Sequence, residues 1–129
     1  DMCGALSVLA DVPKTLVYKL AHFINKDKEI IPINSITKPP SAELRPGQLD
    51  SDSLPPYEIL DDIIFNYIEN KKSAAEIIAL GYDENLVIKI IKQININEFK
   101  RTQAATPLRV TSKSFGVGRR MPIASRYFI

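Results

Sequence analysis

Few side chains in this sequence are of the types that carry out catalysis. The one cysteine, Cys3, and the one histidine, His22, could form a nucleophile–base pair, but nothing in their spacing brings them together. With so few ligands we expect neither an internal disulfide nor a zinc site built by the protein. The neighbouring carboxylates Asp61 and Asp62 point in different directions on a helix. GVG at 116–118 lacks the spacing and the strand-to-helix context of a phosphate-binding loop, so the sequence assigns no catalytic residue.

Lys14 is the most informative charged residue. It falls in the first turn of a predicted helix, where the macrodipole disfavours a cation by about 0.3–1 kcal/mol. An anion that docks on the free N–H groups of this helix N-terminus would make the lysine favourable. The alternative is a surface lysine whose long stem reaches water.

Positive charge is concentrated towards the C-terminal end. Residues 1–62 carry ten acidic and six basic side chains, and residues 63–98 carry five and four. Residues 99–129 carry no acid and seven bases: Lys100, Arg101, Arg109, Lys113, Arg119, Arg120 and Arg126. We call the segment from about 101 to 129 the basic arm. Its charge indicates contact with a nucleotide, a nucleic acid or an acidic partner, unless it folds back on the acidic part of the chain.

Two helices are predicted on either side of a proline-rich segment. The first begins at Asp11 as N-cap, has Pro13 in its first turn and ends near Lys26. The second starts at Pro56. Their apolar residues recur at three- and four-residue spacing and comprise Leu16, Leu20, Phe23 and Ile24 in the first helix, then Leu60, Ile63, Ile64, Tyr67 and Ile68 in the second.

Two further helices are predicted between residues 73 and 98. Ser73 and Glu76 form a capping-box pattern, and Gly81 should end that short helix. Asp83 caps the next helix, whose apolar stripe comprises Leu86, Val87, Ile90, Ile91 and Ile94. The pair has the outline of a helix-turn-helix. A DNA-binding form would expose on its second helix Glu84, Asn85, Lys89, Lys92 and Gln93.

Three segments have no regular helical pattern. Residues 30–56 hold six prolines, which exclude a regular helix or a central strand and predict a mobile loop. Residues 1–10 are small and apolar, typical of a buried loop or the exit of a strand. Beyond Glu98 the periodicity fades, and we expect an extended arm. The fold class is therefore mainly α, with about four helices, a long proline-rich loop and an extended basic tail.

Length and composition fit one soluble domain. The chain has 129 residues, of which 45% are hydrophobic and 25% charged, and no stretch is long and apolar enough for a membrane span. A reducing cytoplasm is the expected location. The first residue is Asp1 rather than Met, so we expect a piece of a longer protein.

Four blocks of the sequence resemble the C-terminal part of NAD synthetase. They are DMCGALSVLADVPKT (1–15), KPPSAELRPGQLDSDSLPPYEILD (38–61), NEFKR (97–101) and RVTSKSFGVGRRMPI (109–123). They occur in order over nearly the whole chain, and their form is similar to the glutamine-dependent bacterial branch. The resemblance implies that residues 1–129 are the C-terminal portion of an α/β, Rossmann-like synthetase domain of the adenine-nucleotide-hydrolase type.

The resemblance also implies a reaction. ATP adenylylates the nicotinate carboxylate of deamido-NAD with release of pyrophosphate, and ammonia from glutamine then displaces AMP to give NAD. The implied partners are ATP, deamido-NAD, the rest of the synthetase domain, an N-terminal glutaminase domain and a second copy in a homodimer or higher oligomer. Neither a membrane nor a nucleic acid is among them.

Site residues follow from the resemblance position by position. Lys14 matches a lysine that contacts the ATP phosphates, and Ser41 stands where ammonia-dependent relatives have an ATP-contacting threonine. Lys100 and Asp1 match residues of the deamido-NAD site. Phe99 replaces a histidine common in the shorter relatives.

The same resemblance identifies a lid and marks what is missing. The proline-rich stretch from about 37 to 57 matches a loop that closes over the reaction centre and would protect an acyl-adenylate from water. The SGGxDS pyrophosphate loop and the acid that binds Mg²⁺ are absent from this sequence. These residues alone are therefore expected to be inactive. The alternative hypothesis is a non-enzymatic helix-turn-helix module that binds nucleic acid with its basic arm.

Overall fold

The computed structural model describes residues 4–114 and 118–124. Predictions that concern Asp1 and Cys3 fall outside this range. The described part is mainly helical, with a parallel pair of very short strands. In chain order its elements are β1 (Leu6–Ser7), α1 (Lys14–Ile24), α2 (Ile33–Thr37), α3 (Tyr57–Ile68), α4 (Ala74–Ile78), α5 (Glu84–Ile96), α6 (Glu98–Gln103) and β2 (Thr106–Pro107).

The chain divides into two compact units. The first unit runs from Pro13 to Asp61 and contains α1, α2 and the start of α3. The second unit combines residues 1–12 with residues 62–129 and contains both strands, the remainder of α3 and helices α4 to α6. No helix in the described ranges is long and apolar enough to span a bilayer.

Helix α1 begins later than the sequence predicts. Its first residue is Lys14, and Pro13 occupies the N-cap position without a side-chain hydrogen bond. The prediction that Asp11 caps this helix is wrong, because the Asp11 carboxylate accepts hydrogen bonds from another segment. The observed end at Ile24 lies close to the predicted end at Lys26.

The apolar face predicted for α1 is largely uncovered. Leu16 is half-buried, whereas Leu20, Ile24 and above all Phe23, which is 72% exposed, face outward. Within the described residues nothing buries this stripe, so apolar spacing alone does not report burial here.

The proline-rich segment 30–56 is irregular for most of its length, as predicted. It also contains α2, which the sequence analysis missed, with Ile36 buried. Pro32 precedes this helix at its N-cap position, where proline is tolerated because no intrahelical N–H bond is lost. A single 3₁₀ turn, Asp50–Asp52, lies near the other end of the segment.

The core of the second unit consists of branched aliphatic side chains from α3, α4 and α5. The buried members are Ile63, Ile68, Ile77, Val87, Ile90, Ile91 and Ile94. The stripes predicted for α5 and for this part of α3 are therefore confirmed. Helices α4 and α5 pack on each other, as the helix-turn-helix outline requires.

The predicted caps of α4 and α5 are also confirmed. The Ser73 hydroxyl accepts the N–H of Glu76 at 3.3 Å, and the Glu76 carboxylate accepts the N–H of Ser73 at 2.8 Å. Gly81 has a φ of 102°, a conformation that glycine adopts freely. The Asp83 carboxylate accepts the N–H of Leu86 at 2.8 Å. Each of these features depends on residues close in sequence.

Strands β1 and β2 pair in parallel, with Leu6 opposite Thr106 and Ser7 opposite Pro107. The strand expected within residues 1–10 is thus confirmed. The other alternative, a buried loop, is wrong for the described residues, because Leu6 and Val8 are each 56% exposed.

The carboxylate of Asp11 joins the two segments that follow the strands. Its Oδ2 accepts the N–H groups of Val110 and Thr111, each over 2.7 Å. The Thr111 hydroxyl donates to Oδ1 over 2.9 Å. The Asp11 side chain is 2% exposed, so these bonds are made with little competition from water.

Helix α6 was not predicted, since EFKRTQ has no apolar period. Its first residue, Glu98, is 3% exposed and accepts from Nη2 of Arg101 at 2.8 Å. Nη1 of Arg119 lies 3.9 Å from the same carboxylate. Nη2 of Arg119 donates to the Tyr67 hydroxyl at 3.0 Å and to Oδ1 of Asn95 at 2.9 Å. Two bases of the basic arm are therefore paired within their own unit.

Glu69, just after α3, anchors another part of the basic arm. Its carboxylate accepts the N–H of Ser112 at 3.1 Å, the Ser112 hydroxyl and the N–H of Lys113 at 3.3 Å. Burial raises the pKa of Glu69, but the hydrogen bonds from Ser112, Thr111 and Lys113 outweigh burial and hold the pKa below its ordinary 4.5.

Replacing Asp11 should loosen the segment that follows β2. In the natural gene product containing these residues, we expect Asp11→Ala to destabilise the native state locally by about 2–3 kcal/mol, because backbone N–H groups lose charge-assisted partners. Amide hydrogen exchange at Val110 and Thr111 measures this loss. The control is Asp27→Ala at an exposed aspartate, with an expected effect within about 0.5 kcal/mol. Unchanged protection in Asp11→Ala would contradict the assignment.

Glu69 should give a stabilisation that acid removes. Because its folded pKa is lowered, the contribution is complete above about pH 4.5 and is lost as the pH falls through the folded value. We expect Glu69→Gln to cost about 1 kcal/mol at pH 7, less than a buried bond supplies because Glu69 is partly exposed. The difference from the native protein should shrink below pH 4.5. Thermal unfolding from pH 3 to pH 7, with Glu58→Gln on α3 as control, tests this, and a pH-independent difference would contradict it.

Candidate functional site

Lys14 lies at the start of α1 between two aromatic rings. Its Nζ is 5.6 Å from the ring centroid of Tyr18 and 5.8 Å from that of Tyr57. Tyr18 follows one turn later on α1, and Tyr57 is the first residue of α3. Both distances are within the range of about 6 Å over which a ring face attracts a cation. The lysine is half-buried rather than fully extended into water.

The carboxylate of Asp61, a residue of α3, lies at the N-terminus of α1. Its Oδ2 accepts the N–H of Thr15 over 2.8 Å. The carboxylate thus supplies the cap acceptor that Pro13 lacks, and its charge complements the helix macrodipole. For the N–H of Thr15, the anion at this helix N-terminus is thus the Asp61 side chain of the chain itself.

Tyr57 connects α3 to the proline-rich segment. Its hydroxyl donates to Oδ2 of Asp50 over 2.5 Å. Burial and this hydrogen bond to a carboxylate raise the pKa of Tyr57 above its ordinary value. The hydroxyl therefore remains protonated, and remains a donor, across the neutral pH range.

The Ser41 side chain forms hydrogen bonds between parts of the proline-rich segment. Its hydroxyl donates to the carbonyl of Gln48 over 2.5 Å and accepts the N–H of Glu43 over 3.0 Å. A cavity of about 560 Å³ lies beside this turn. Ser41 and Lys14 both belong to the first unit, but no hydrogen bond joins their side chains in the described structure.

Lys100 belongs to the second unit, on α6, and its side chain is exposed. A cavity of about 530 Å³ lies beside this helix and is lined by Glu98, Arg101 and Thr106 among others. Lys100 is not among the described residues that line it. The buried Glu98, two residues earlier on the same helix, accepts a hydrogen bond from Arg101, the residue after the lysine.

Of the other residues considered for chemistry, those that the structure describes have separate surroundings, and Cys3 lies outside the described ranges. Asp61 and Asp62 have different partners, Thr15 and Tyr82, which confirms that their carboxylates point in different directions. His22 is exposed on α1.

A metal centre is not formed by the part of the chain that the structure describes. No three His, Cys, Asp or Glu side chains there are grouped closely enough to hold a metal ion. The described residues therefore offer no donor set that fits the magnesium implied by the resemblance.

Lys14 stands out in the sequence, but the side chains around it do not. Tyr18 and Tyr57, which flank its ammonium, and Asp61, which binds the N–H of the adjacent Thr15, were not singled out as a group. One signal was available, since Lys14–Tyr18 and Tyr57–Asp61 are both spaced one helical turn apart and so share a face. The pairing of the two helix starts is a tertiary contact that no spacing reveals.

Comparisons with known proteins agree on one family. The model of NAD synthase matches residues 1–104. A glutamine-dependent NAD(+) synthetase of Synechocystis is 50% identical over 127 residues, covering 98% of this chain and 23% of that protein. The one of Thermotoga maritima is 46% identical over 129 residues, covering 98% and 22%.

A solved structure is similar as well. The glutamine-dependent NAD+ synthetase of Acinetobacter baumannii, in complex with ADP, gives a TM-score of 0.53 at 39% identity and covers 88% of this chain and 19% of that one. The chain thus spans about a quarter of the length of its curated relatives. With most of its length matched by the family model and nearly half of its residues identical to these relatives, the chain belongs to the NAD synthase family.

Proposed function

We propose that this chain is part of a glutamine-dependent NAD synthetase, a carbon–nitrogen ligase that converts deamido-NAD to NAD. The observation that carries the proposal is 50% identity over 127 residues to a relative with this name. In the reaction, a carboxylate oxygen of deamido-NAD attacks the α-phosphorus of ATP and pyrophosphate leaves. Ammonia released from glutamine then attacks the acyl carbon, and AMP leaves as the amide forms.

Lys14 is proposed to contact the ATP phosphates. Its ammonium is held at a defined place by Tyr18 and Tyr57. A fixed cation lowers the free energy of the negative charge that develops on departing pyrophosphate. The ADP-bound state of the Acinetobacter baumannii relative supports adenine-nucleotide binding by this family.

The loop from about residue 37 to residue 57 is proposed to act as a lid over the reaction centre, with Ser41 contacting ATP. The Ser41 hydroxyl donates to Gln48 in the present structure, so donation to a phosphate requires this bond to be exchanged. A closed lid would keep water from the acyl-adenylate. Asp1 and the exposed Lys100 are proposed to bind deamido-NAD.

The remaining components are proposed to lie outside these residues. They are the pyrophosphate-binding loop and magnesium ligands of an α/β, Rossmann-like synthetase domain, a glutaminase domain, and a second subunit in a cytoplasmic homodimer or higher oligomer. The described residues are therefore proposed to be inactive on their own.

The nucleic-acid alternative is not favoured. Two bases of the arm, Arg101 and Arg119, are paired with Glu98 inside the second unit. They are therefore not presented to a phosphate backbone. Salt-dependent binding to duplex DNA with preference for one sequence would reverse this conclusion.

Two lysine substitutions test the proposal in the natural gene product. We expect Lys14→Ala to raise the KM for ATP, and Lys100→Ala to raise the KM for deamido-NAD, each roughly 10- to 100-fold through loss of a charge-assisted hydrogen bond. Steady-state rates of ATP-dependent NAD formation measure both. Lys26→Ala, at an exposed lysine after α1, is the matched control. If Lys14→Ala and Lys100→Ala leave both KM values unchanged, the site assignment is wrong.

A further inference from the structure

The surroundings of Lys14 include two tyrosines whose part in the reaction is unassigned. We propose that Tyr57 and Tyr18 are positioning residues that hold the Lys14 ammonium for its phosphate contact, and that the Tyr57 hydroxyl ties this placement to the proline-rich loop. The inference rests on the proposed function, since it concerns the lysine assigned there to ATP.

The geometry places one ring on each of two helices. Tyr18 shares a face of α1 with Lys14, because four residues separate them. Tyr57 stands at the start of α3, whose Asp61 holds the N–H of Thr15 in α1. The two helix starts are thus joined by a hydrogen bond, and both rings approach the same ammonium at 5.6 and 5.8 Å. A flexible four-carbon stem is restricted in this way from two directions.

Aromatic rings hold a cation without neutralising it. No carboxylate of the described residues forms an ion pair with Lys14. An ion-paired ammonium would have to break that pair before it could bind phosphate, whereas a ring quadrupole leaves the full positive charge available. Two rings therefore suit a lysine that must be fixed in place and still free to bind an anion.

The Tyr57 hydroxyl extends this arrangement into the loop. It donates to Oδ2 of Asp50 over 2.5 Å. The N–H of Asp50 donates in turn to the carbonyl of Pro40 over 3.0 Å, directly before Ser41. A tyrosine hydroxyl is protonated at neutral pH, and burial and the bond to Asp50 raise the pKa of Tyr57 further, so the hydroxyl remains a donor. The residues proposed to contact ATP from the helix and from the loop are thereby connected through one side chain.

Steady-state kinetics of the natural gene product test the inference. The single variants are Lys14→Ala, Tyr57→Leu, Tyr57→Phe and Tyr18→Leu, together with the double variant Lys14→Ala/Tyr57→Leu. Each is assayed for the KM of ATP, the KM of deamido-NAD and kcat, and each is checked by thermal unfolding. If Tyr57→Leu does not fold, Tyr18→Leu combined with Lys14→Ala takes its place.

The two leucine variants should each raise the KM for ATP roughly two- to fivefold, the range expected for one cation–π contact. Tyr57→Phe keeps the ring and should keep this KM within about twofold, but it should lower kcat because the bond to Asp50 is lost. The double variant should have the ATP KM of Lys14→Ala alone, since a residue that acts through Lys14 has no effect once the lysine is gone.

Three results would overturn the inference. They are additive effects in the double variant, a Tyr57→Phe variant with the ATP KM of Tyr57→Leu, and an unchanged kcat in Tyr57→Phe.

The control is Tyr82→Leu, since the Tyr82 hydroxyl also donates to an aspartate, Asp62, but in the second unit. A raised ATP KM there would assign the effect to general loss of packing. If Lys14→Ala itself leaves the ATP KM unchanged, the proposed role of Lys14 fails, whereas additive effects remove only the positioning role.

Discussion

The carboxylate of Asp11 is the interaction on which the arrangement of the second unit depends. Strands β1 and β2 have two residues each, far too few to hold two chain segments together by backbone pairing alone. Asp11 adds bonds to Val110 and Thr111 just beyond the paired residues, and these bonds are largely shielded from water. Since the partners are about one hundred positions apart in sequence, this single side chain closes most of the chain into one loop.

Carboxylates play the same part elsewhere in the molecule. Asp61 holds the start of α1, Glu69 holds Ser112 and Lys113, and Glu98 draws Arg101 and Arg119 together. Glu98 opens a helix, Glu69 directly follows one and Asp61 lies within α3, and each carboxylate accepts hydrogen bonds from groups of its own unit. The excess of positive charge in the basic arm is thus partly matched inside the chain. Composition alone therefore overstated how much of this charge is available to an external anion.

What the sequence predicted well is what neighbouring residues determine. The capping box of Ser73 and Glu76, the Asp83 cap and the stripe of α5 all follow from spacing within two or three turns, and the structure confirms them. The start of α1 could not be found in this way, because Val110 and Thr111, about one hundred positions away, bind the Asp11 carboxylate. Helix α6 could not be found either, because EFKRTQ has no apolar period and its buried Glu98 is paired with Arg101 and the distant Arg119. At the site, sequence pointed to Lys14 but not to its aromatic surroundings. The roles of Ser41 and Lys100 remain predictions, and Asp1 lies outside the described residues.

Two residues near the start of α1 break local rules, and the reasons differ. Asp11 is a good N-cap that caps nothing, because its charge-assisted bonds within the second unit are worth more than a cap, which contributes about 1 kcal/mol. Lys14 is a cation where the macrodipole opposes one, yet no ion pair within the described residues compensates for it. The first exception is explained entirely by folding. The second is offset only in part, by cation–π contacts with two tyrosine rings and by the neighbouring Asp61 cap. A local rule that is broken with only this weak structural compensation is the stronger indication of a binding role.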